Sequence, residues 1–450
     1  MTAVSYRRSE LPVPKSGDCS IRMEPAFDAA FKRRWSDQMV LSWKFYYFDL
    51  DRINTSMENN LCTEAIAEEY TKVSDFVKVK LGELQRRIQH ASRQVTEQTS
   101  LANFIDFERT LDDISASVCD LQLFHTLHTD ALSLLRQHIN PFFAENLGML
   151  YTKDTLDKMV MQVCSLYDSL RANRAPPESP PLSPISLTGE TFISRRSQAW
   201  WVHADNSMNL MMHFLKYLSL NSKLVNGAND SISVKVTSVV LDKPTQPDHS
   251  KIVKVQWTNA GQEVFIKAMD GEDRTRSIRT KQKYLERWIN KEWSLYDLLD
   301  KLRANGHDME DVEPNATFIQ NLVNDGSTPV LRTVCNRVTF QSTSSPYIKI
   351  TMDTNLMIHR DQLPDGGRWF KTRDDDGDED QNNLDNCQDG MIRFPFDVVK
   401  VSFGDTEDDL PYWWHELIRS KLLQQVPEIY NGIEGLASFI KNDMSSLKSW

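Results

Sequence analysis

Two short predicted strands carry basic side chains at alternate positions. The stretch KVQWTNAGQEVFIKAMDG, residues 254–271, alternates polar and apolar residues on both sides of an Asn-Ala-Gly turn, so each strand has two distinct faces. One face of the first strand carries Lys254 and Gln256, and one face of the second carries Lys267 and Met269. Such a surface could be the wall of a catalytic pocket, either one that still works or one that has lost its chemistry.

An acidic segment offers a second possible chemistry. In RDDDGDEDQNNLDNCQDG, residues 373–390, Asp374, Asp376 and Asp378 are spaced like the first three ligands of a calcium loop, and Asp385 stands at the twelfth position. A calcium loop of this type needs glycine at its sixth position, whereas here glycine is at the fourth, and no helix is predicted on either side. We therefore interpret 373–390 as a disordered acidic insertion, and we expect no metal site.

Other familiar site patterns are weak or absent in the sequence. His125 and His128 are one helical turn apart, which suits a metal, but no third ligand is evident nearby. Surface histidines are therefore the simpler interpretation of His125 and His128. The sequence contains no G-x-G-x-x-G, Walker A, G-x-S-x-G or H-E-x-x-H motif.

Composition limits the class of protein. The chain has 450 residues, of which 40% are hydrophobic and 26% charged, enough for two or three domains, and its net charge of −11 argues against nucleic-acid binding. The six cysteines form no C-x-x-C pair, which favours free thiols. No apolar run is long enough to span a bilayer and the N-terminus lacks a signal-peptide core. The sequence therefore predicts a cytoplasmic chain with no transmembrane segment of its own.

The pattern of hydrophobic residues changes once along the chain. Residues 1–25 are predicted to be a flexible tail, 26–168 a helical domain, 169–188 a proline-rich linker, and 189–443 a second domain that contains the acidic loop 373–390. Apolar residues at helical spacing predict long antiparallel helices; they are Ile66, Val73, Val77, Leu84, Ile88, Phe104, Phe107, Leu111, Ile114, Val118 and Leu121.

The second domain is predicted to be mainly β. The segments SISVKVTSVVLD, KIVKVQW, EVFIKAM, VLRTVCNRVTFQ, YIKITMDT and FDVVKVSF read as strands, and 283–303 and the last 35 or so residues read as helical. Alternating strands with few helices between them favour an antiparallel sheet or barrel. The predicted fold class is α+β, with a helical bundle followed by an antiparallel β-barrel and flanking helices.

Two sets of motifs resemble known families. RRSQAWWVHADNSMNLMMHFLKYL, residues 195–218, resembles the opening of the tunnel domain of vacuolar transporter chaperone (VTC) proteins, and VLRTVCNRVTFQ, YIKITMDT, RFPFDVVKV and WWHELIRSKLLQQVPEIYNGIEGLASFI follow in that family's order. SWKFYYFDLDRI, residues 42–53, and the long helices resemble an SPX domain. The likeness covers about residues 27–443, and it implies an SPX-like bundle followed by a triphosphate-tunnel-like barrel.

The VTC resemblance also implies a chemistry. Catalytic members make polyphosphate in a barrel lined by lysines and arginines, where a glutamate holds Mn²⁺ or Mg²⁺, because phosphoryl transfer relies on charge neutralisation and positioning. On this sequence several of those positions differ. They are Ala199, Gln256, Met269 and Ser402 where the family has a basic residue, Lys400 where it has the metal-binding glutamate, and Glu428 where it has a lysine.

The remaining basic residues define a reduced candidate site. As residual polyanion-binding residues we predict Lys254, Arg279, Arg332, Arg337 and Lys349, with no catalytic residue and no cofactor expected. Arg332 and Arg337 could instead pair with acidic residues in the wall of the barrel. An alternative hypothesis keeps weak polyphosphate polymerase or triphosphatase activity, with Mn²⁺ or Mg²⁺. A third is a polyanion-binding module without chemistry.

The SPX resemblance implies binding of inositol phosphates through basic residues. The corresponding positions are Leu50, Asn54, Ser133, Arg136 and Gln137, of which Arg136 alone is basic. Lys44, Lys72 and Lys78 could form a different basic patch, so the candidate inositol-phosphate residues are Lys44, Lys72 and Arg136. Exposed charges on a helical bundle are the simpler interpretation.

Together these features predict a non-catalytic relative of VTC subunits. The resemblance implies other VTC-complex-like subunits as partners, together with polyphosphate or inositol phosphates as ligands. It also implies a cytoplasmic location or a peripheral one on the cytosolic face of a vacuole or acidocalcisome membrane.

Overall fold

A helical N-terminal part precedes an antiparallel sheet. The computed structural model describes residues 26–58, 62–97, 101–139, 150, 153–174, 197–221, 232–242, 253–258, 263–270, 274–289, 292–325, 327–342, 348–360, 391–403 and 410–426. The predicted tail 1–25, the acidic loop 373–390 and Glu428 lie outside these residues.

The helices of the N-terminal part follow the predicted apolar spacing. They are α1 (Ala29–Gln38), a 3₁₀ helix (Leu41–Tyr46), α2 (Leu50–Glu58), α3 (Cys62–Glu97), α4 (Leu101–Arg136) and α5 (Lys153–Arg174). Along α4, Phe107, Leu111, Ile114, Val118 and Leu121 are all buried, because spacings of three and four residues keep them on one side of the helix. The predicted seam is confirmed.

The chain folds into two structural units whose boundaries cut across the long helices. The first unit contains residues 1–76 and 124–150, and the second contains 77–123 and 151–450. Helix α5 ends at Arg174, beyond the predicted boundary at 168, and it belongs to the unit that contains the sheet.

Aromatic side chains form the core of the first unit. Trp35 packs against Tyr47, Phe48 and His128, and Trp43 packs edge-on against Phe76 and Phe124. Both nitrogens of the buried His128 ring are engaged, since Nδ1 lies 2.7 Å from the Phe124 carbonyl and Nε2 accepts from the Phe48 amide. Burial lowers the pKa of His128 to about 3, so this histidine is a neutral part of the core.

The second unit is built on an eleven-stranded sheet. Its strands are β1 (Ser197–His203), β2 (Ser219–Leu220), β3 (Val234–Asp242), β4 (Val253–Thr258), β5 (Glu263–Asp270), β6 (Arg274–Lys281), β7 (Thr328–Gln341), β8 (Ile348–Arg360), β9 (Met391–Arg393), β10 (Phe396–Phe403) and β11 (Gln424–Gln425). The order is β11-β1-β10-β8-β7-β3-β4-β5-β6, with β2 on β7 and β9 on β8. All the pairs are antiparallel.

Helices cover one face of one half of the sheet. After a short 3₁₀ turn (Ala204–Asn206), the helices are α6 (Ser207–Tyr217), α7 (Gln282–Ile289), α8 (Leu295–Ala304), α9 (Met309–Asn324) and α10 (Tyr412–Arg419). Apolar residues of α7, α8 and α9 pack on Val239, Val255 and Ile266 of the sheet, forming one continuous core. The opposite face of β4 to β6 carries polar side chains that include Lys254, Lys267 and Arg279.

The predicted α+β class, with helices first and antiparallel strands after them, is confirmed. The predicted closure into a barrel is not found among the described strands, because β6 and β11 stand at the two ends of the sheet order. Strand β6 at one end has 8 residues, but β11 at the other end contributes only 2, and no pairing between the two ends is found among the described strands.

Candidate functional site

The register of the strands defines a second face, which we call the inner face. Lys254 lies across from Val240 on β3, and Val240 lies across from Leu331 on β7. Further along β7, Arg337 lies across from Asp353 on β8, and Asp353 lies across from Val398 on β10. Because side chains alternate along a strand and directly paired residues share a face, the inner face is opposite the helix-covered face.

A buried ion pair occupies the centre of the inner face. Arg337 donates from Nε to Asp353 Oδ1 at 2.6 Å and from Nη2 to Asp353 Oδ2 at 2.7 Å. Asp353 is only 2% exposed. Burial alone would raise the pKa of Asp353, but the charge and the hydrogen bonds of Arg337 outweigh it and the pKa lies below its ordinary value. The two charges therefore compensate each other within the sheet.

Two lysines lie close to this pair. Lys400 and Lys254 also act to lower the pKa of Asp353. Lys400 lies across from Thr351 and shares the inner face with Asp353, whereas β4, which carries Lys254, is separated from β8 in the sheet order by β7 and β3.

Cys335 lies within the same group of charges. Burial raises the pKa of the Cys335 thiol to about 12, and Asp353, Arg337, Lys254 and Lys400 are the charged groups that act on it. Cys335 is therefore buried beside the Arg337–Asp353 ion pair.

The other predicted residues of this site are placed differently. Lys349 is half-buried at the end of β8, across from Gln341 and Ser402, on the inner face. Arg279 also lies on the inner face, across from Phe265, but it forms a salt bridge with Glu263. Arg332 lies across from Val239, whose side chain belongs to the core under the helices, so Arg332 is on the opposite side from Arg337.

The end of the inner face near β9 is apolar. Trp201 stacks on Phe396 at 5.8 Å and packs edge-on against Phe394 at 5.6 Å between ring centroids. These rings join a buried cluster whose members come from four strands and the residue after β9; they are Val236, Val240, Leu331, Cys335, Leu356, Ile358, Phe394 and Val398. This part of the inner face is therefore apolar, and it adjoins Asp353 through Val398, which lies across from it.

A second buried carboxylate, that of Asp397, forms hydrogen bonds close to the same region. Asp397 Oδ1 accepts from the backbone N–H of Asn355 at 3.1 Å, and Asp397 Oδ2 accepts from the hydroxyl of Ser207. Asn355 has a positive φ of 52°, which allows β8 to bend two residues after Asp353. Burial raises the pKa of Asp397 to about 6, although both hydrogen bonds favour the ionised form.

The candidate residues of the helical part have different neighbours. Lys72 Nζ lies 2.6 Å from Glu69, which also receives Arg52 and the backbone N–H of Asp49. The Lys44 ammonium lies 4.8 Å from the centre of the Phe45 ring, and Arg136 is exposed in the last turn of α4. Lys72 therefore contributes to a local ion-pair network with Glu69.

Two residues of this region are not among the predicted polyanion-binding residues. Asp353 is absent from the prediction, and Lys400 appears in it only as the residue at the position of the family's metal-binding glutamate. The alternation in IKITMDT places Asp353 on the same face as Lys349, so the pattern did contain a signal for it.

The chain matches one protein-family model over more than half of its length. The model is described as the VTC domain and covers residues 194–439. The chain belongs to the VTC domain family. Its VTC domain therefore contains every strand of the sheet, the inner face and helices α6 to α10.

Individual relatives extend the similarity beyond the VTC domain. The chain is 23% identical to vacuolar transporter chaperone complex subunit 4 of Schizosaccharomyces pombe, over 93% of this chain and 65% of that protein. It is 24% identical to subunit 2 of Saccharomyces cerevisiae, over 84% and 58%. It is also 22% identical to subunit 4 of Trypanosoma brucei brucei, over 57% and 35%. The chain thus spans less than two-thirds of the length of these relatives.

The chain has low similarity to a solved structure. The PH1819 protein of Pyrococcus horikoshii OT3 aligns with 55% of this chain and 98% of its own length, at 8% identity and a TM-score of 0.27. Among the described residues, no helix is both long and apolar enough to cross a membrane.

The residues around Asp353 do not fit a divalent metal ion. Both oxygens of Asp353 accept from Arg337, and the neighbouring side chain at the position that the resemblance assigns to the metal-binding glutamate is Lys400. An ammonium group repels a divalent cation and has no lone pair to donate. No group of three or more possible ligands from His, Cys, Asp and Glu occurs within the described part of the chain.

Proposed function

We propose that this chain is a non-catalytic VTC-type subunit that serves as an interaction or regulatory protein in polyphosphate metabolism. The observation that carries the proposal is the Arg337–Asp353 ion pair on the inner face of the VTC domain. An arginine held by two hydrogen bonds to a buried carboxylate is already neutralised, and a phosphate chain would have to compete with that carboxylate.

The lining of the inner face supports the same proposal. Transfer of phosphoryl groups requires cations, including a metal ion, around the transferred phosphate. Lys400 stands beside Asp353, and the aromatic cluster of Trp201, Phe394 and Phe396 occupies the neighbouring area. Within the described part of the chain, this surface offers no group of three or more possible metal ligands, since the one carboxylate beside Lys400 is bound to Arg337.

The proposed partners follow from the relatives. The related proteins are named as subunits of vacuolar transporter chaperone complexes. We propose that this chain assembles with other subunits of that kind, at the cytosolic face of a vacuole or acidocalcisome membrane. Assembly with a catalytic subunit would give a role to a VTC domain that has lost its own activity.

An activity assay tests the proposal directly. The purified chain is incubated with ATP or tripolyphosphate in the presence of Mn²⁺ or Mg²⁺, and released phosphate and polymer are measured. We expect no turnover above that of a heat-inactivated sample. Turnover that disappears in both Lys254→Ala and Arg337→Ala would contradict the proposal and favour a weak polymerase or triphosphatase.

Assembly needs a separate measurement. A tagged copy of the chain is isolated from its own cells, and the copurifying proteins are identified. We expect other VTC subunits to copurify, and the chain to leave the membrane fraction when the catalytic subunit is deleted. A chain that fractionates identically with and without that subunit would contradict the assembly.

A polyanion-binding module without chemistry is the second candidate. It is favoured by the basic side chains on the inner face, where Lys254 lies across from Lys267 and where Lys349 and Lys400 lie on β8 and β10. Calorimetry with tripolyphosphate and with inositol hexakisphosphate tests it. Binding that is weakened by Lys254→Ala and unchanged by Arg332→Ala would support the module, because Arg332 lies on the helix-covered side of β7.

A further inference from the structure

The 3₁₀ helix Leu41–Tyr46 exposes large apolar side chains. Leu41 is 79% exposed, Phe45 is 78% exposed and Tyr46 is 45% exposed. Large apolar residues are exposed singly in many proteins, but here three lie within one short helix. We call Leu41, Phe45 and Tyr46 the apolar tip.

The apolar tip is held rigidly from beneath. Tyr46 stacks on Phe76 at 4.1 Å, and Trp43 packs against Phe76 and Phe124 at 5.3 Å and 5.8 Å between ring centroids. The buried Tyr47 follows and contacts Phe124 at 4.6 Å. Because these anchors fix the helix, Leu41 and Phe45 cannot turn inward to bury themselves, and an exposed group that is already ordered loses little entropy on binding.

The segment that carries the tip contains one charged residue. Within residues 39–48, MVLSWKFYYF, Lys44 is the single charged residue, and its ammonium lies over the Phe45 ring at 4.8 Å. Aromatic residues together with lysine are typical of protein segments at a membrane–water interface, where the rings sit at the headgroup level and the ammonium reaches the phosphates. The composition of the tip therefore suits a lipid surface.

The size of the tip argues against a protein partner that binds here alone. Its exposed area is on the order of 400 Å², taking about 150–250 Å² for one large side chain. A stable protein interface buries about 800 Å² on each partner. A bilayer sets no such minimum, because a few apolar side chains can insert between headgroups without a matching pocket.

We infer that the apolar tip is a peripheral membrane-contact site, in which Leu41 and Phe45 insert among lipid headgroups and Lys44 contacts lipid phosphates. Two inserted side chains give a weak and reversible contact, comparable to a single lipid anchor that needs a second signal for stable attachment. This inference does not depend on the proposed function, since it concerns the helical part alone.

Co-sedimentation of the full chain with vesicles tests the inference. Phosphatidylcholine vesicles with and without phosphatidylserine are mixed with the protein, and the bound fraction is measured. We expect Phe45→Ser to lower the partition coefficient by about tenfold, since it removes a buried aromatic ring from the bilayer. Lys44→Ala should reduce binding by about fivefold on vesicles with phosphatidylserine and change little on phosphatidylcholine.

A matched control is available on α8. Tyr296 is also 78% exposed, but it is flanked by Asp297 and lies near Asp300, so it should not enter an anionic surface. Tyr296→Ser should therefore bind vesicles like the wild type. Equal losses in Phe45→Ser and Tyr296→Ser, or no sedimentation of the wild type with either vesicle, would overturn the inference.

Self-association is distinguished by a parallel measurement. The mass of the wild type and of Phe45→Ser is determined by light scattering, and far-UV circular dichroism confirms that both are folded. A dimer that dissociates in Phe45→Ser, without vesicle binding by the wild type, would identify a second copy of the chain as the occupant and refute the membrane site.

Discussion

Arg337 and Asp353 face each other across β7 and β8 and are joined by two hydrogen bonds of 2.6 and 2.7 Å. Planar groups that match in this way form the strongest type of ion pair, and burial makes each charge dependent on the other. The pair thus joins two neighbouring strands at the centre of the inner face, which gives Arg337 a structural role.

Asp353→Asn should strongly destabilise the VTC domain. The substitution leaves the buried Arg337 charge without compensation, which typically costs about 3–5 kcal/mol. We expect a loss of about 3 kcal/mol in the free energy of unfolding, measured by urea denaturation at neutral pH. A double variant, Arg337→Met with Asp353→Leu, should recover most of that loss, because apolar groups of similar size need no compensation.

The pH dependence gives a second readout of the same pair. Since the pKa of Asp353 is lowered by folding, its contribution is present above the unfolded pKa and disappears as the pH falls through the lower folded value. The difference between wild type and Asp353→Asn should therefore be constant near neutral pH and shrink in acid. Equal stability of the two proteins at neutral pH would contradict the role of the pair.

Asp397 should show the opposite pH dependence. Burial raises its pKa from 3.8 to about 6, so the ionised form opposes folding by about 3 kcal/mol once the pH exceeds both values. Lowering the pH from 7.5 to about 5 should therefore increase wild-type stability in thermal unfolding. The charges that act on Asp397 from neighbouring strands are Arg393, which lowers its pKa, and Asp353, which raises it.

Asp397→Asn isolates this effect. An asparagine can still accept from the Asn355 N–H and donate to the Ser207 hydroxyl, but it does not titrate. The variant should lose the increase in stability between pH 7.5 and about 5. If the variant keeps the full increase, another group causes it.

The elements of the fold were largely predictable, whereas the contacts between them were not. The six predicted strands appear as β3, β4, β5, β7, β8 and β10, since alternation is a local property of the sequence. The predicted helix 283–303 is instead two helices, because Ser294 and Asp297 form a capping box that starts α8. That signal was present in the sequence as Ser-Leu-Tyr-Asp.

The contacts of the inner-face residues depend on pairing between strands that are distant in the sequence, and the local sequence pattern does not reveal that pairing. Arg332 and Arg337 are five positions apart, an odd spacing, so alternation alone places them on opposite faces of a strand. The partner of Arg337 depends on which strand lies beside β7 and in which register, and neither is encoded locally. The sequence analysis offered the alternative that Arg337 pairs with an acidic residue of the sheet, and the structure shows this pairing with Asp353.

Arg171 should stabilise the junction between α5 and the VTC domain. Its Nη1 donates to the carbonyls of Leu215, at 2.5 Å, and Lys216, at 3.0 Å, near the C-terminal end of α6, where backbone oxygens lack helical partners. We expect Arg171→Ala to lower the free energy of unfolding by about 1–3 kcal/mol, since hydrogen bonds from a charged donor are lost. Arg303, which pairs with Asp300 on the exposed surface of α8, is the matched control. Arg303→Ala should change stability by less than about 0.5 kcal/mol, and equal effects of the two substitutions would contradict the cap.

Any tripolyphosphate binding by the inner face should be independent of divalent metal. Lys400 supplies a fixed positive charge beside Asp353, whereas a metal would need carboxylate oxygens that are already bound to Arg337. In calorimetry, the affinity should be the same with EDTA as with Mn²⁺.

Lys400→Ala should weaken the affinity for tripolyphosphate by about tenfold, the effect of losing one partly screened charge pair. The matched substitution Arg332→Ala removes a charge of the same sign from the other side of the sheet and should leave the affinity unchanged. Affinity that requires Mn²⁺ would place a metal at the inner face and contradict the assignment of Lys400.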